Sequence, residues 1–192
     1  MTFGSTSPSW EIDSAIQRAW DSGKVMMAAS GNRCPWELFE SYPAANSNVI
    51  AIFSTDGRGI PSAYNLQARA SRKNFSTLGE SVPGFWKSTG PGNPFSGTSM
   101  AVHVAAALVC TAVKYANSVV LGDSSDRQNL SGFDGVEALL SLMSVPRNGL
   151  DYVAPWNLWN EDRDSEQVRT LIQDTIRKLP DSRGRRGAGK SF

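Results

Sequence analysis

Val25-Met26-Met27-Ala28-Ala29-Ser30-Gly31-Asn32 is a short apolar run that ends in a turn. Gly23 bounds it on the other side. A run this short between punctuating glycines reads as a buried strand. Upstream, Ile12, Ala15, Ile16, Ala19 and Trp20 recur at helical spacing. Ser7-Pro8 supplies a cap and a first-turn proline, and Gly23 supplies a stop. Downstream, Val49-Ile50-Ala51-Ile52-Phe53 is a second apolar run, ended by Asp56-Gly57-Arg58-Gly59. Alternation of helix and buried strand predicts an α/β fold, a parallel sheet flanked by helices.

Further along, residues 54–96 are rich in Gly, Ser, Pro and Asn. They read as loops with strand pieces near Asn74-Phe75 and Ser81-Val82. A helix of small and apolar residues is expected from Thr98 to about Ala116, with alanines dense enough to suggest burial on nearly all sides. Residues 121–132 read as polar turns. Val136, Leu139, Leu140 and Met143 mark another helix, halted by Pro146. Asp164 and Gln167 form a capping-box pattern before the stripe Val168, Leu171, Ile172 and Ile176. The expected organisation is a core portion over 1–120, a helical C-terminal extension over 121–180, and a basic disordered tail over 181–192.

The chain has 192 residues, 40% of them hydrophobic and 19% charged, with a formal net charge of +1. It reads as globular, and nothing in the charge balance argues for nucleic acid. Arg183, Arg185, Arg186 and Lys190 crowd the tail, which a solvated terminus explains. Cys34 and Cys110 make no disulfide framework; Cys110 is expected buried and Cys34 more exposed. There is no cationic, apolar opening of the secretory kind, and no apolar stretch reads as long enough to span a bilayer. An intracellular location is therefore expected.

Chemistry concentrates at Phe95-Ser96-Gly97-Thr98-Ser99-Met100-Ala101. A serine at a helix start lies where backbone N–H groups and the positive helix end favour a negative oxygen. A tetrahedral acyl intermediate carries such an oxygen. The same serine also serves as an ordinary cap. The run approximates the Gly-x-Ser-x-Gly elbow of α/β-hydrolases, but that motif needs a buried strand leading into the serine. Gly90-Pro91-Gly92-Asn93-Pro94 reads as no central strand.

Five segments in order strengthen one reading: Ala28-Ala29-Ser30-Gly31-Asn32, then Tyr42-Pro43-Ala44, then Val49-Ile50-Ala51-Ile52, then Phe75-Ser76-Thr77-Leu78-Gly79-Glu80, then Gly97-Thr98-Ser99-Met100-Ala101. Together they resemble the subtilisin-like serine proteases, with a fungal intracellular flavour that extends to Asp151-Tyr152-Val153-Ala154-Pro155-Trp156. The resemblance implies a partial three-layer subtilisin-like fold and acyl transfer. It makes Ser99 the nucleophile and Asn32 the side-chain donor to the oxyanion. It makes Thr2, Phe3 and Gly4, with Ala28, Ala29, Ser30 and Gly31, the walls that flank the substrate's side chain. Relatives often hold structural calcium, but no site is readable here and no cofactor is identifiable. The implied partner is a peptide or protein substrate.

The chain departs from the pattern in two ways. The family's aspartate and histidine lie upstream of the segment resembling Thr2-Phe3-Gly4, so the expectation is a C-terminal part of a catalytic domain. A missing N-terminal half or a partner chain would then complete it; without them the two apolar strands are expected to lack neighbours and expose their faces. The single histidine, His103, stands where the family usually has proline. One turn from Ser99, it is poorly placed as a base. Histidine there restores the backbone N–H that proline lacks, so residue 103 is expected to donate it to the Ser99 carbonyl four residues back and make the first turn more regular. The alternatives left open are an inactive relative that binds peptides or proteins, and an α/β-hydrolase-type esterase.

Overall fold

The computed structural model describes residues 1–32, 41–86, 90–119 and 124–179. Cys34, the Pro180 stop and the basic tail lie outside the described residues.

After helix α1 (Trp10–Asp21), strands β1 (Met27–Ala29), β2 (Ile50–Thr55) and β3 (Phe75–Leu78) pair in parallel. Ala28 stands opposite Ala51, and Phe53 opposite Ser76. An antiparallel ribbon, β4 (Val82–Trp86) and β5 (Gly90–Phe95), leads to helix α2 (Thr98–Val119). Helices α3 (Ser124–Leu130) and α4 (Phe133–Met143) follow, then β6 (Ser144–Arg147), β7 (Leu150–Val153) and helix α5 (Ser165–Arg177). β7 adds to β3 in parallel and β6 closes the sheet antiparallel, giving the order β1-β2-β3-β7-β6.

Every residue of β2 is buried, because both faces of the sheet are covered. Ile50 and Ile52 point into a cluster with Ala105 and Val109 of α2, Leu140 of α4 and Ile172 of α5. Ala51 and Phe53 point the other way, into a cluster with Ile16 of α1 and Tyr42. Removing Ile52 and Phe53 completely from water contributes roughly 2 kcal/mol each. Helices thus lie on both sides of a mainly parallel sheet, as the resemblance implies.

Several expectations need correction. β2 does not lack neighbours or expose its faces, since β1 and β3 flank it and clusters cover both sides, whereas β1 does stand at the edge of the sheet. α1 begins later than Ser7-Pro8 suggested, with Ser9 at its cap position, whose hydroxyl turns to the Glu11 carboxylate instead of a backbone N–H. α2 is one-sided: Ala101, Ala105, Val109, Ala112 and Ala116 form its buried stripe. Ala107 and Cys110 fall off that stripe and are exposed, so Cys110 is no buried thiol. By length and composition alone α2 is apolar enough to cross a membrane, contrary to the sequence reading; here its apolar stripe packs on the sheet. The polar 121–132 stretch contains α3. The supposed helical extension over 121–180 carries β6 and β7 as well, and its helices α4 and α5 share the α2 cluster. The capping box of α5 is present as read, with Gln167 N donating to Asp164 Oδ1 at 2.8 Å and Asp164 N to Gln167 Oε1 at 3.0 Å.

Candidate active site

Three turns meet at the carboxyl ends of β1, β2 and β3. Ser30 continues β1 by donating its N–H to the Ile52 carbonyl at 3.0 Å. Gly31 then takes φ +109°, and a Cβ there would come within 2.8 Å of both Leu66 Cδ1 and Ser41 Oγ. Only glycine fits that backbone and that space. The turn delivers Asn32 to the start of α2. Asn32 Oδ1 accepts from Thr98 N and from Thr98 Oγ1, each at 3.0 Å. Two donors on the oxygen fix which way the amide lies. Nδ2 is left as the free end among the described residues.

Ser99 is the second residue of α2. The segment before it is anchored by Gly97 N–H on the Gly79 carbonyl at 2.8 Å. Its hydroxyl donates to the Thr2 carbonyl at 3.1 Å. Residues 1–6 run beside β1. Ala29 N donates to the Met1 carbonyl at 3.0 Å, while Ser5 and Tyr42 exchange two backbone bonds of 2.8 Å. A cleft of about 200 Å³ lies between these segments. Thr2, Phe3, Gly4, Ala29, Gly31, Asn32 and Ser99 all line it.

Ala28 and Ser30 do not line this cleft, and both are fully buried. Strand alternation turns Ala28 into the α1-side cluster, and Ser30 contributes its carbonyl, which accepts from Ser41 N at 2.9 Å and Ser41 Oγ at 3.2 Å. Ser5, Thr6, Ser41 and Thr98 line the cleft without having been singled out in the sequence. Thr98 had a signal, since it adjoins Ser99. Ser41 adjoins the quoted Tyr42-Pro43-Ala44 but lies in no motif with a chemical role, and it joins the site by its bonds to the Ser30 carbonyl.

His103 is exposed, and its Nδ1 lies 2.7 Å from the Ser99 carbonyl. A carbonyl only accepts, so Nδ1 carries the proton. The contact seen from residue 103 to the Ser99 carbonyl is the ring's, which the sequence reading did not foresee. That ring nitrogen is committed to the backbone, and the Ser99 hydroxyl points to Thr2 instead of to a base. β5 ends at Phe95 within the two-stranded ribbon, so no strand of the main sheet runs into Ser99 as the α/β-hydrolase elbow requires. Among the described residues no three His, Cys, Asp or Glu side chains converge as a metal site would. A larger hollow of about 620 Å³ lies against α5, between Asn160 and Leu171, and shares no residue with the Ser99 cleft.

No family model matches the chain. Thermitase from Thermoactinomyces vulgaris is 32% identical over 139 residues, which are 69% of this chain and 47% of thermitase. Subtilisin Savinase from Lederbergia lenta is 34% identical over 116 residues, 56% of this chain and 38% of the relative. The chain thus spans about half, or less, of the length of these relatives. Among solved structures, the self-cleaved protease domain of PatA superposes with a TM-score of 0.65 at 18% identity, covering 91% of this chain and 61% of that one. The sheet, the helix that carries Ser99 and these likenesses together make the chain a homologue of the subtilisin-like serine proteases over part of their length.

Proposed function

We propose that this chain is part of a serine-type endopeptidase domain, its C-terminal portion, that hydrolyses peptide bonds through an acyl-enzyme on Ser99. The observation that carries the reading is the Asn32–Thr98 clamp. It spends the amide oxygen of Asn32 on two donors and leaves an N–H donor beside the Ser99 cleft. In the proposed reaction Ser99 Oγ attacks the peptide carbonyl, forming a C–O bond as the carbonyl π pair moves to oxygen. Asn32 Nδ2 and the Ser99 backbone N–H hold that oxyanion, aided by the N-terminus of α2. Collapse of the intermediate expels the amine, which takes a proton, and water then releases the acyl group. The open cleft between Thr2–Gly4 and Ala29–Gly31 takes the substrate side chain.

The proton acceptor for Ser99 is not His103, the single histidine of this sequence. We place it on a stretch of polypeptide outside these residues, either of the same gene or of a partner chain. A second reading is a relative that binds peptides without cleaving them. The bond from Ser99 Oγ to the Thr2 carbonyl favours it, since a carbonyl positions a hydroxyl but takes no proton from it.

A serine-directed organophosphonate tests the choice. A longer polypeptide that includes the sequence encoded upstream is expected to be phosphonylated at Ser99, whereas this chain alone reacts far more slowly. Absence of the adduct in the longer polypeptide would favour the binding reading.

A further inference from the structure

One loop after β2, residues 56–74, touches both halves of the site without lining the cleft. Its contacts form a connected set of hydrogen bonds. Ser62 Oγ donates to Ser54 Oγ at 2.9 Å, Ser54 Oγ lies 2.8 Å from Tyr64 Oη, and Tyr64 Oη donates to the Gly79 carbonyl at 3.1 Å. Each hydroxyl has one proton, and Tyr64 spends its own on Gly79, so the proton between Ser54 and Tyr64 belongs to Ser54. The same Gly79 carbonyl receives Gly97 N–H, which fixes the residue two before Ser99. Space here is tight, since a Cβ on Gly79 would stand 2.3 Å from Ser54 Oγ and 2.9 Å from the Gly97 carbonyl.

The next residue reaches the other half. Asn65 Oδ1 accepts from Ser54 N at 2.9 Å and Asn65 Nδ2 donates to the Ser54 carbonyl at 2.6 Å. The side chain thereby takes the place of a strand partner on β2, beyond the last paired residue of β1. The backbone of Asn65 forms an antiparallel bridge with Asn32. So Tyr64 fastens the Ser99 side of the site and Asn65 fastens the Asn32 side, and both work from the same buried anchor, Ser54.

We propose that Tyr64 and Asn65 are positioning residues for the acyl-transfer site, setting the separation between the Ser99 turn and the Asn32 amide. This rests on the reading of Ser99 and Asn32 given above. Misplacement of a catalytic group by about 1 Å costs on the order of a hundredfold in rate, so a brace that spans nucleophile and oxyanion donor has a direct effect on chemistry. A loop that acted only on global stability would speed every amide that exchanges by global unfolding, those of β2 included.

Residue-resolved amide exchange on the whole chain separates the two. Tyr64→Phe is expected to speed exchange of the Gly97 N–H about tenfold, with the Ile52 and Phe53 amides of β2 unchanged. Asn65→Ala is expected to speed the Thr98 N–H, which Asn32 holds, about tenfold and to leave Gly97 less affected. Should Asn65→Ala not fold, Asn65→Asp keeps the acceptor for Ser54 N–H and carries the same expectation. Equal acceleration at β2 and at Gly97 and Thr98, or none at either site, would overturn the proposal. The readout needs no turnover, so a failure to phosphonylate Ser99 would sink the peptidase reading while leaving this measurement decisive on its own.

Discussion

Replacing Asn32 by alanine and by aspartate separates its structural role from its chemical one. Asn32 Oδ1 satisfies two donors of Thr98, a residue only 1% exposed. Alanine leaves the Thr98 N–H and hydroxyl without that acceptor, and an unmet buried donor costs about 1–3 kcal/mol. Asn32 itself is exposed, so water recovers part of the loss, and we expect a total near 2 kcal/mol. Aspartate keeps an acceptor for both donors and adds a negative charge at the N-terminus of α2, worth about 0.3–1 kcal/mol. It also exchanges the Nδ2 donor for a second oxygen, which faces a developing oxyanion with repulsion. Urea unfolding at pH 7 should therefore order the proteins as Asp at least equal to wild type and Ala clearly below both. Any acyl-transfer rate should fall about a hundredfold or more in both variants. A protein with Asn32→Asp as unstable as Asn32→Ala would refute the assignment of Oδ1 as the acceptor.

Gly31→Ala should destabilise by more than about 1 kcal/mol in the same assay, since φ +109° and the contacts to Leu66 and Ser41 both oppose a Cβ. Asp164→Ala removes a complete capping box from α5 and should cost about 1 kcal/mol, read as a lower urea midpoint with unchanged m. Burial, then the hydrogen bond to Asp13, holds the Tyr42 phenol above its ordinary value. The folded state therefore keeps the Tyr42 proton more tightly than the unfolded chain. Its contribution is whole below pH about 10 and is lost as pH rises through the folded value. Burial raises Tyr152 in the same direction. Tyr42→Phe should be less stable than wild type at pH 8, and the gap should narrow above pH about 10; a gap that widens there would contradict the sign.

Where apolar period and punctuation coincide, the sequence was readable. Val25–Ala29 and Val49–Phe53 lie over β1 and β2, and Asp164 with Gln167 marked the start of α5 to the residue. β5 was hidden because Gly90, Pro91, Gly92 and Pro94 are poor strand formers, tolerated in a two-stranded ribbon. β7 was hidden because Leu150–Val153 is short and acquires its place only by pairing with β3, far away in sequence. Cys110 was misread because small residues disguise the direction of a helix: one position beyond buried Val109 is already solvent. At the site, Ser99 and Asn32 stand in motifs, and the structure brings them to one cleft. Tyr64 and Asn65 belong to no motif, and their importance comes from bonds to Ser54 and Gly79 that only the folded chain creates.

The most direct measurement is binding of a peptidyl boronic acid, whose boron accepts a serine oxygen and becomes a tetrahedral anion resembling the acyl intermediate. Boron NMR and titration on the whole chain should show a tetrahedral adduct that disappears in Ser99→Ala. Asn32→Ala should weaken it about a hundredfold, the equivalent of one oxyanion donor. An adduct that persists in Ser99→Ala, or one that Asn32→Asp binds as tightly as wild type, would contradict the pairing of Ser99 with Asn32 as nucleophile and oxyanion donor.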